Sequence, residues 1–222
     1  MATSDYRRQR AALACYVARR VERLQKGLST SSQARRELAQ LRRAAGTTPG
    51  STPETWEVEF GGLPESLAGK GAQASAGEWA VHIALTLYAA HQQSRSDPMH
   101  VAGKDHGLGR AVRRLELEER KEREAADGEK DPMPRRFASL LAASEPDALS
   151  HHGRQVVKQM RAHGIPLDYG ELAGDLFGVL SPYHRDEVRL EWCRQFVRPM
   201  TQNSDAPVPA ETADSTETAD SK

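Results

Sequence analysis

Eight histidines, two cysteines and a large set of arginines are the groups in this chain from which chemistry could be built. His151 and His152 are adjacent. On a helix, neighbouring side chains point about 100° apart, so these two cannot share a metal without distortion. His100 and His106 lie in one loop, and His82 and His91 flank an apolar run; solvated, helix-ending or hydrogen-bonded core histidines account for all four. Cys15 and Cys193 have no CxxC partner, which excludes a zinc knuckle or a disulfide framework and predicts two small, buried apolar side chains. The run Gly103-Lys104-Asp105-His106-Gly107-Leu108-Gly109 is glycine-rich ahead of a helix, a place where backbone N–H groups can meet a phosphate. It lacks GxxxxGK[ST] and follows no strand, so it predicts contact with a backbone phosphate and not a mononucleotide pocket. An enzyme needs paired groups at working spacing, and the sequence offers few. No catalytic residue, metal site or cofactor is expected.

The arginines carry the stronger signal. Arginine outnumbers lysine 24 to 7, and its planar fork donates two parallel hydrogen bonds to a phosphate. The formal charge is zero, 31 bases against 31 acids, but the distribution is uneven. Residues 1–43 carry eleven basic side chains and three acidic ones, whereas residues 200–222 carry five acids and one lysine. Arg35/Arg36/Arg42/Arg43, Arg110/Arg113/Arg114 and Arg135/Arg136 have at most one acid among them, the pattern of a face that meets a polyanion. From Glu116 to Glu124 acids alternate with bases, which reads as a solvated face instead. Trp79, Trp192 and Phe137 fall at core positions, so no aromatic platform for stacking bases is expected.

The elements that must position these residues are helical throughout. Tyr6, Leu13, Val17, Val21, Leu24 and Leu28 fall within about 80° of one another at the helical period, with Arg8, Arg19, Arg23 and Lys26 opposite. A second helix over 32–45 carries Leu38 and Leu41, and Gly46 stops it. After a Thr/Pro/Gly linker and a short element over 54–60, Ser75 and Glu78 form a capping box. The following WAVHIALTLYAA is apolar nearly all round, so this helix is buried at the centre of the fold. Helices follow over 108–126, 135–143, 146–163, 168–180 (with Asp168 and Glu171 as a second capping box) and 182–197. Residues 127–134 break the chain, which predicts two small bundles, 1–126 and 134–198, joined by a loop. Residues 199–222 are polar, acidic and low in complexity, the composition of a disordered tail. The absence of a long apolar run or a leader, and the cysteine usage, point to the cytoplasm.

The ordered segments Leu38-Ala39-Gln40-Leu41-Arg42-Arg43-Ala44, Leu85-Thr86-Leu87-Tyr88-Ala89-Ala90-His91-Gln92, Gly107-Leu108-Gly109-Arg110-Ala111 and Arg136-Phe137-Ala138-Ser139-Leu140-Leu141 form a set. With Ile165-Pro166-Leu167-Asp168-Tyr169 and the closing Val188…Trp192…Phe196, they resemble the CasB family, the small subunit of the type I-E CRISPR Cascade complex. The resemblance spans roughly residues 10–198. It implies an all-α fold of two bundles, no catalytic activity, and a place in a ribonucleoprotein beside other Cascade subunits, guide RNA and a second copy of the chain. It further implies contact with target and displaced DNA strands in an R-loop, where base pairing reads sequence and protein supplies charge and shape. By position, Arg42, Arg43, Arg110, Arg135, Arg136 and Arg154 are the expected backbone contacts. Lys104, Arg113 and Arg114 join them by proximity. A helical scaffold whose arginines dock acidic protein surfaces is the alternative.

Overall fold

A helix with no polar face has nowhere to meet water, and α4 (Ala76–His91) is enclosed accordingly. In the computed structural model, which describes residues 3–125 and 135–199, Ala80, Ile83, Ala84, Leu85, Tyr88 and Ala89 on this helix are fully buried. Ser75 caps it as the spacing predicts: its hydroxyl accepts from Glu78 N at 3.1 Å, and the Glu78 carboxylate accepts from Ser75 N at 2.7 Å.

Five described helices pack on α4: α1 (Thr3–Lys26), α2 (Ser32–Ala44), α3 (Trp56–Phe60), α7 (Pro146–Ala162) and α8 (Tyr169–Leu180); α5 (Leu108–Ala125) and α6 (Arg135–Ala142) lie against α7, and α9 (Arg185–Val197) lies against α5 and α8. Their bounds follow the sequence pattern to within a few residues; α9 starts latest against expectation, after a turn over 182–184. Asp168 caps α8 by accepting from Glu171 N at 3.0 Å. The reciprocal half of that box is missing, because Glu171 accepts instead from Gln195 Nε2 at 2.8 Å.

The expected division into two bundles does not separate two cores. The most extensive helix contacts run across it, α1 on α8, α4 on α7 and α8, and α5 on α9, and one hydrophobic cluster includes residues from both sides. Neither half alone covers both α4 and α8, each apolar on more than one face. Residues 126–134, the expected joint, lie outside the described residues, as does the expected tail from residue 200.

Arg10 ties the halves together. It falls on the apolar stripe of α1, and its Nη2 donates to buried Asp175 of α8 at 2.6 Å, while Trp192 Nε1 of α9 donates to the other carboxylate oxygen at 2.6 Å. Burial raises the Asp175 pKa and Arg10 opposes that rise. Both cysteines correct the expectation of burial: they are exposed. Cys15 is two residues on from inward Leu13, and Cys193 one on from inward Trp192, so each is turned off the packed face. Among the described residues, no helix is long and apolar enough to cross a membrane.

Two measurements check this account. Asp175→Ala leaves Arg10 and Trp192 without their shared acceptor and should lower stability by about 3 kcal/mol in denaturant titration. Loss should come in one transition, because the helices share one core; two separated transitions would contradict it. His91 is buried, with Nδ1 2.8 Å from the Tyr169 hydroxyl. Burial lowers its pKa to about 3, resisted by the Ile165 backbone and helped by Arg161 and Arg95. The unfolded chain takes up this proton near pH 6.5 and the folded chain only near 3, so stability falls as pH drops through that window. Melts of His91→Gln should lose less than the wild type between about pH 7 and 4.

Candidate nucleic-acid interface

The nine expected phosphate contacts fall into two sets. In the first, Arg42 and Arg43 occupy the last turn of α2, and Arg154 projects from α7. Arg42 is half-buried, and its Nη1 donates to the carbonyl of Ala89 at 3.4 Å, near the C-terminal end of α4. Burial and the like charge of Arg43 both lower its pKa. Arg43 is exposed and has no carboxylate partner among the described residues. Arg154 lies against Gly46, where a Cβ would sit 3.2 Å from its Nη2. Gly46 has φ +89°, a left-handed conformation that favours glycine, so the turn leaving α2 calls for that residue.

The second set lies around the first half of α5. Lys104 is exposed on the 3-10 turn Lys104–His106, and Arg135 and Arg136 are exposed at the start of α6. Phe137, next in sequence, is buried with its ring centroid 5.9 Å from that of Phe196. Arg113 sits 5.6 Å above the same Phe196 ring, which brings the start of α6 beside α5. Arg136 and Lys104 have no carboxylate partner among the described residues. The other arginines are engaged. Arg110 Nη1 donates to the carbonyls of Arg198 at 2.8 Å and Pro199 at 3.0 Å. Arg114 Nη1 lies 3.1 Å from His106 Nδ1, and burial lowers the pKa of both groups. Arg113 pairs with Glu116 at 2.5 Å, so the expectation of an acid-poor 110–114 cluster overlooks the carboxylate one helical turn on.

The glycine run is corrected. Gly107 and Gly109 are buried against α9, and a Cβ on Gly109 would collide with the carbonyl oxygen of Trp192. Gly109 N donates to Gln195 Oε1 at 3.0 Å, so α9 already occupies the donor a phosphate would need. These glycines serve close helix approach.

Sequence reasoning passed over Arg161. Its Nη1 donates to Ala90 O at 3.2 Å and to Gln93 Oε1 at 3.1 Å, so with Arg42 it places two cations on the carbonyl end of α4. The signal was there: Arg161 is seven residues, two helical turns, beyond Arg154. Three histidines are hydrogen-bonded in the core: His82, His91 and His100. His82 Nδ1 is 3.0 Å from Glu59 Oε2, both fully buried, and His100 Nδ1 accepts from Tyr169 N at 3.1 Å. No group of three or more metal-ligating side chains occurs among the described residues.

The class these features define is an all-helical protein with two cationic surface sets and with His82, His91 and His100 built into the core. The chain belongs to the CRISPR-associated protein Cse2 family, whose model matches residues 37–196, from within α2 to the end of α9. Among solved structures it is similar to CasB from Thermobifida fusca, at 35% identity and a TM-score of 0.64, over 83% of this chain and 97% of that one. A Cse2-family CRISPR-associated protein from Thermus thermophilus shares the fold at 23% identity and a TM-score of 0.54, over 81% of this chain and 96% of that one. No curated protein matches it. Helix α1 lies outside the matched segment, and part of its basic face is spent internally: Arg23 Nη2 pairs with Glu37 at 2.7 Å, and Arg20 donates to Gly61 O.

Gly109→Ala separates packing from phosphate binding. If the glycine serves the α5–α9 approach, the variant loses about 1–3 kcal/mol of stability to overpacking. A stable variant with impaired nucleic-acid binding would restore the phosphate-loop reading.

Proposed function

We propose that this chain is the non-catalytic small subunit of a CRISPR Cascade ribonucleoprotein, where it holds nucleic-acid backbone and steadies the R-loop. The observation that carries the reading is the set of exposed cations, Arg43, Lys104 and Arg136, left without carboxylate partners among the described residues in a chain whose acids and bases balance. A protein that neutralises its own bases elsewhere, as Arg113 does with Glu116 and Arg120 with Glu124, leaves these free for a polyanion. Membership of a CRISPR-associated family supports nucleic acid as that polyanion. In this role the partners are the other Cascade subunits, guide RNA, the target and displaced strands and a second copy of the chain, in the cytoplasm. Recognition needs no base contacts, because pairing with the guide reads sequence.

One observation favours a protein-docking contribution. Leu190 and Val197 are 49% and 67% exposed on the outer side of α9, at a spacing of two helical turns, with exposed Cys193 between them. Such a stripe fits a partner subunit.

Arg43→Glu combined with Arg136→Glu should reduce R-loop yield in a reconstituted Cascade by about tenfold or more while leaving the melting temperature and co-purification with the complex unchanged. Normal R-loop yield with the variant incorporated would reject the backbone role and leave protein docking alone.

A further inference from the structure

Helix α9 ends among the second cationic set. Arg110 of α5 donates from Nη1 to the carbonyl oxygens of Arg198 and Pro199 at 2.8 and 3.0 Å, so the chain is tied to α5 where it leaves the helix. Phe196, two residues before Arg198, packs on Phe137, and that contact brings Arg136 to the same exit. Lys104 stands on the turn whose His106 Nδ1 lies 3.1 Å from Arg114 Nη1, one helical turn beyond Arg110. Lys104, Arg136 and Arg198 are exposed and have no carboxylate partner among the described residues. The carboxylates nearby are engaged. Glu116 pairs with Arg113 at 2.5 Å, and Asp168 accepts from Gly103 N at 2.8 Å and from Glu171 N at 3.0 Å. Asp105, next to Lys104 in sequence, acts on Arg114 and His106, opposing the fall that burial causes in their pKa values.

The sequence that follows carries the opposite charge. Residues 1–199 hold 30 bases and 26 acids, and residues 200–222 hold one base and five acids, so the last segment balances the rest of the chain. Residues 211–222 are two near-identical copies of a six-residue unit, Glu-Thr-Ala-Asp-Ser-Thr and Glu-Thr-Ala-Asp-Ser-Lys. The repeat sets an acid at every third position, Glu211, Asp214, Glu217 and Asp220, at most about 10 Å apart along the chain. No aromatic, leucine or isoleucine side chain occurs in residues 200–222, so what they offer a surface is charge. Acids at a regular interval make a polyanion, the same chemistry that a nucleic-acid backbone presents.

We propose that residues 200–222 dock through these acids on the cationic set around Lys104, Arg136 and Arg198, as a tethered polyanion that shields it. The docking stands on the charges and the exit path; that it competes with nucleic acid rests on the reading above. Exposed ion pairs are individually weak and fade with salt. A short tether offsets that weakness by holding the acids at a high effective concentration. Effective concentration falls as a tether lengthens, which favours the set at the exit over the basic residues of α1 and α2. A nucleic-acid strand carries more charge per unit length than one acid in three residues, so a strand held in place by partner subunits displaces the segment. Nucleic acid that meets the isolated chain without such help is turned away.

Two measurements on the full chain test this. With the exposed cysteines removed by Cys15→Ser and Cys193→Ser, a nitroxide on Ser221→Cys reports which amide signals the segment approaches. At low salt it should attenuate residues 104–106 and 135–137, and the attenuation should vanish at about 0.5 M salt. It should vanish also when the acids are neutralised by Asp205→Asn, Glu211→Gln, Asp214→Asn, Glu217→Gln and Asp220→Asn. No attenuation, or attenuation centred on Arg35, Arg42 and Arg95 instead, overturns the docking. In the second measurement, the neutralised chain should bind a single-stranded oligonucleotide about three- to tenfold more tightly than the wild type at low salt. That gain should disappear in the Lys104→Glu/Arg136→Glu background. An equal gain in that background points to long-range repulsion and overturns docking at this set. Attenuation with unchanged oligonucleotide affinity overturns the competition. If neither chain binds the oligonucleotide while attenuation persists, the nucleic-acid reading fails and the docking stands.

Discussion

The burial of α4 is the constraint on which the rest depends. A sixteen-residue helix with apolar side chains on every face can exist in water only if other helices enclose it, and α1, α2, α7 and α8 do so. That requirement joins the two ends of the sequence, because α1 packs chiefly on α8. The joint is polar inside: Arg10 enters along the apolar stripe to reach Asp175, and Trp192 completes the carboxylate's hydrogen bonds. Removing Arg10 leaves the Asp175 carboxylate buried without its counter-charge, so the network fixes which helices meet.

Enclosing α4 also arranges the charge. Its carbonyl end collects Arg42 and Arg161, drawn there by the helix dipole. Its following turn, tied by Gln92, carries Arg95 to the edge of an open groove beside α2. Cations elsewhere are consumed by local pairing, as with Arg113 and Glu116 or Arg23 and Glu37. What remains outward and unpaired is therefore a residue of the packing solution. A chain with no net charge can in this way present local surfaces of strong positive potential, the property a backbone-binding subunit needs.

Much of the fold was legible in the sequence, because helical periodicity, the Ser75–Glu78 box and glycine stops are local signals. The all-round apolar character of 79–90 also announced the centre. The shared core was not legible: the break near 127–134 suggested two bundles, and only three-dimensional packing brings α1 onto α8. The cysteines were misjudged for want of a face assignment; Cys15 stands about 200° from Leu13 at the helical period. At the site, clusters were visible but their partners were not. Glu116 neutralises Arg113 from one turn away, and Gly109 is explained by the backbone of α9 at Trp192, a neighbour distant in sequence. Arg95 stood in a loop with no periodicity to mark where it points.

Unpaired surface cations, not base-specific contacts or shape alone, carry binding in this account. The most direct measurement is the affinity of the intact chain for a single-stranded oligonucleotide across a range of salt concentrations. Counterion release predicts a straight line of log affinity against log salt, falling by about 0.7 for each phosphate neutralised, hence a slope of about −2 or steeper. An affinity that holds constant as salt rises, or that depends on the oligonucleotide's sequence, would contradict the account.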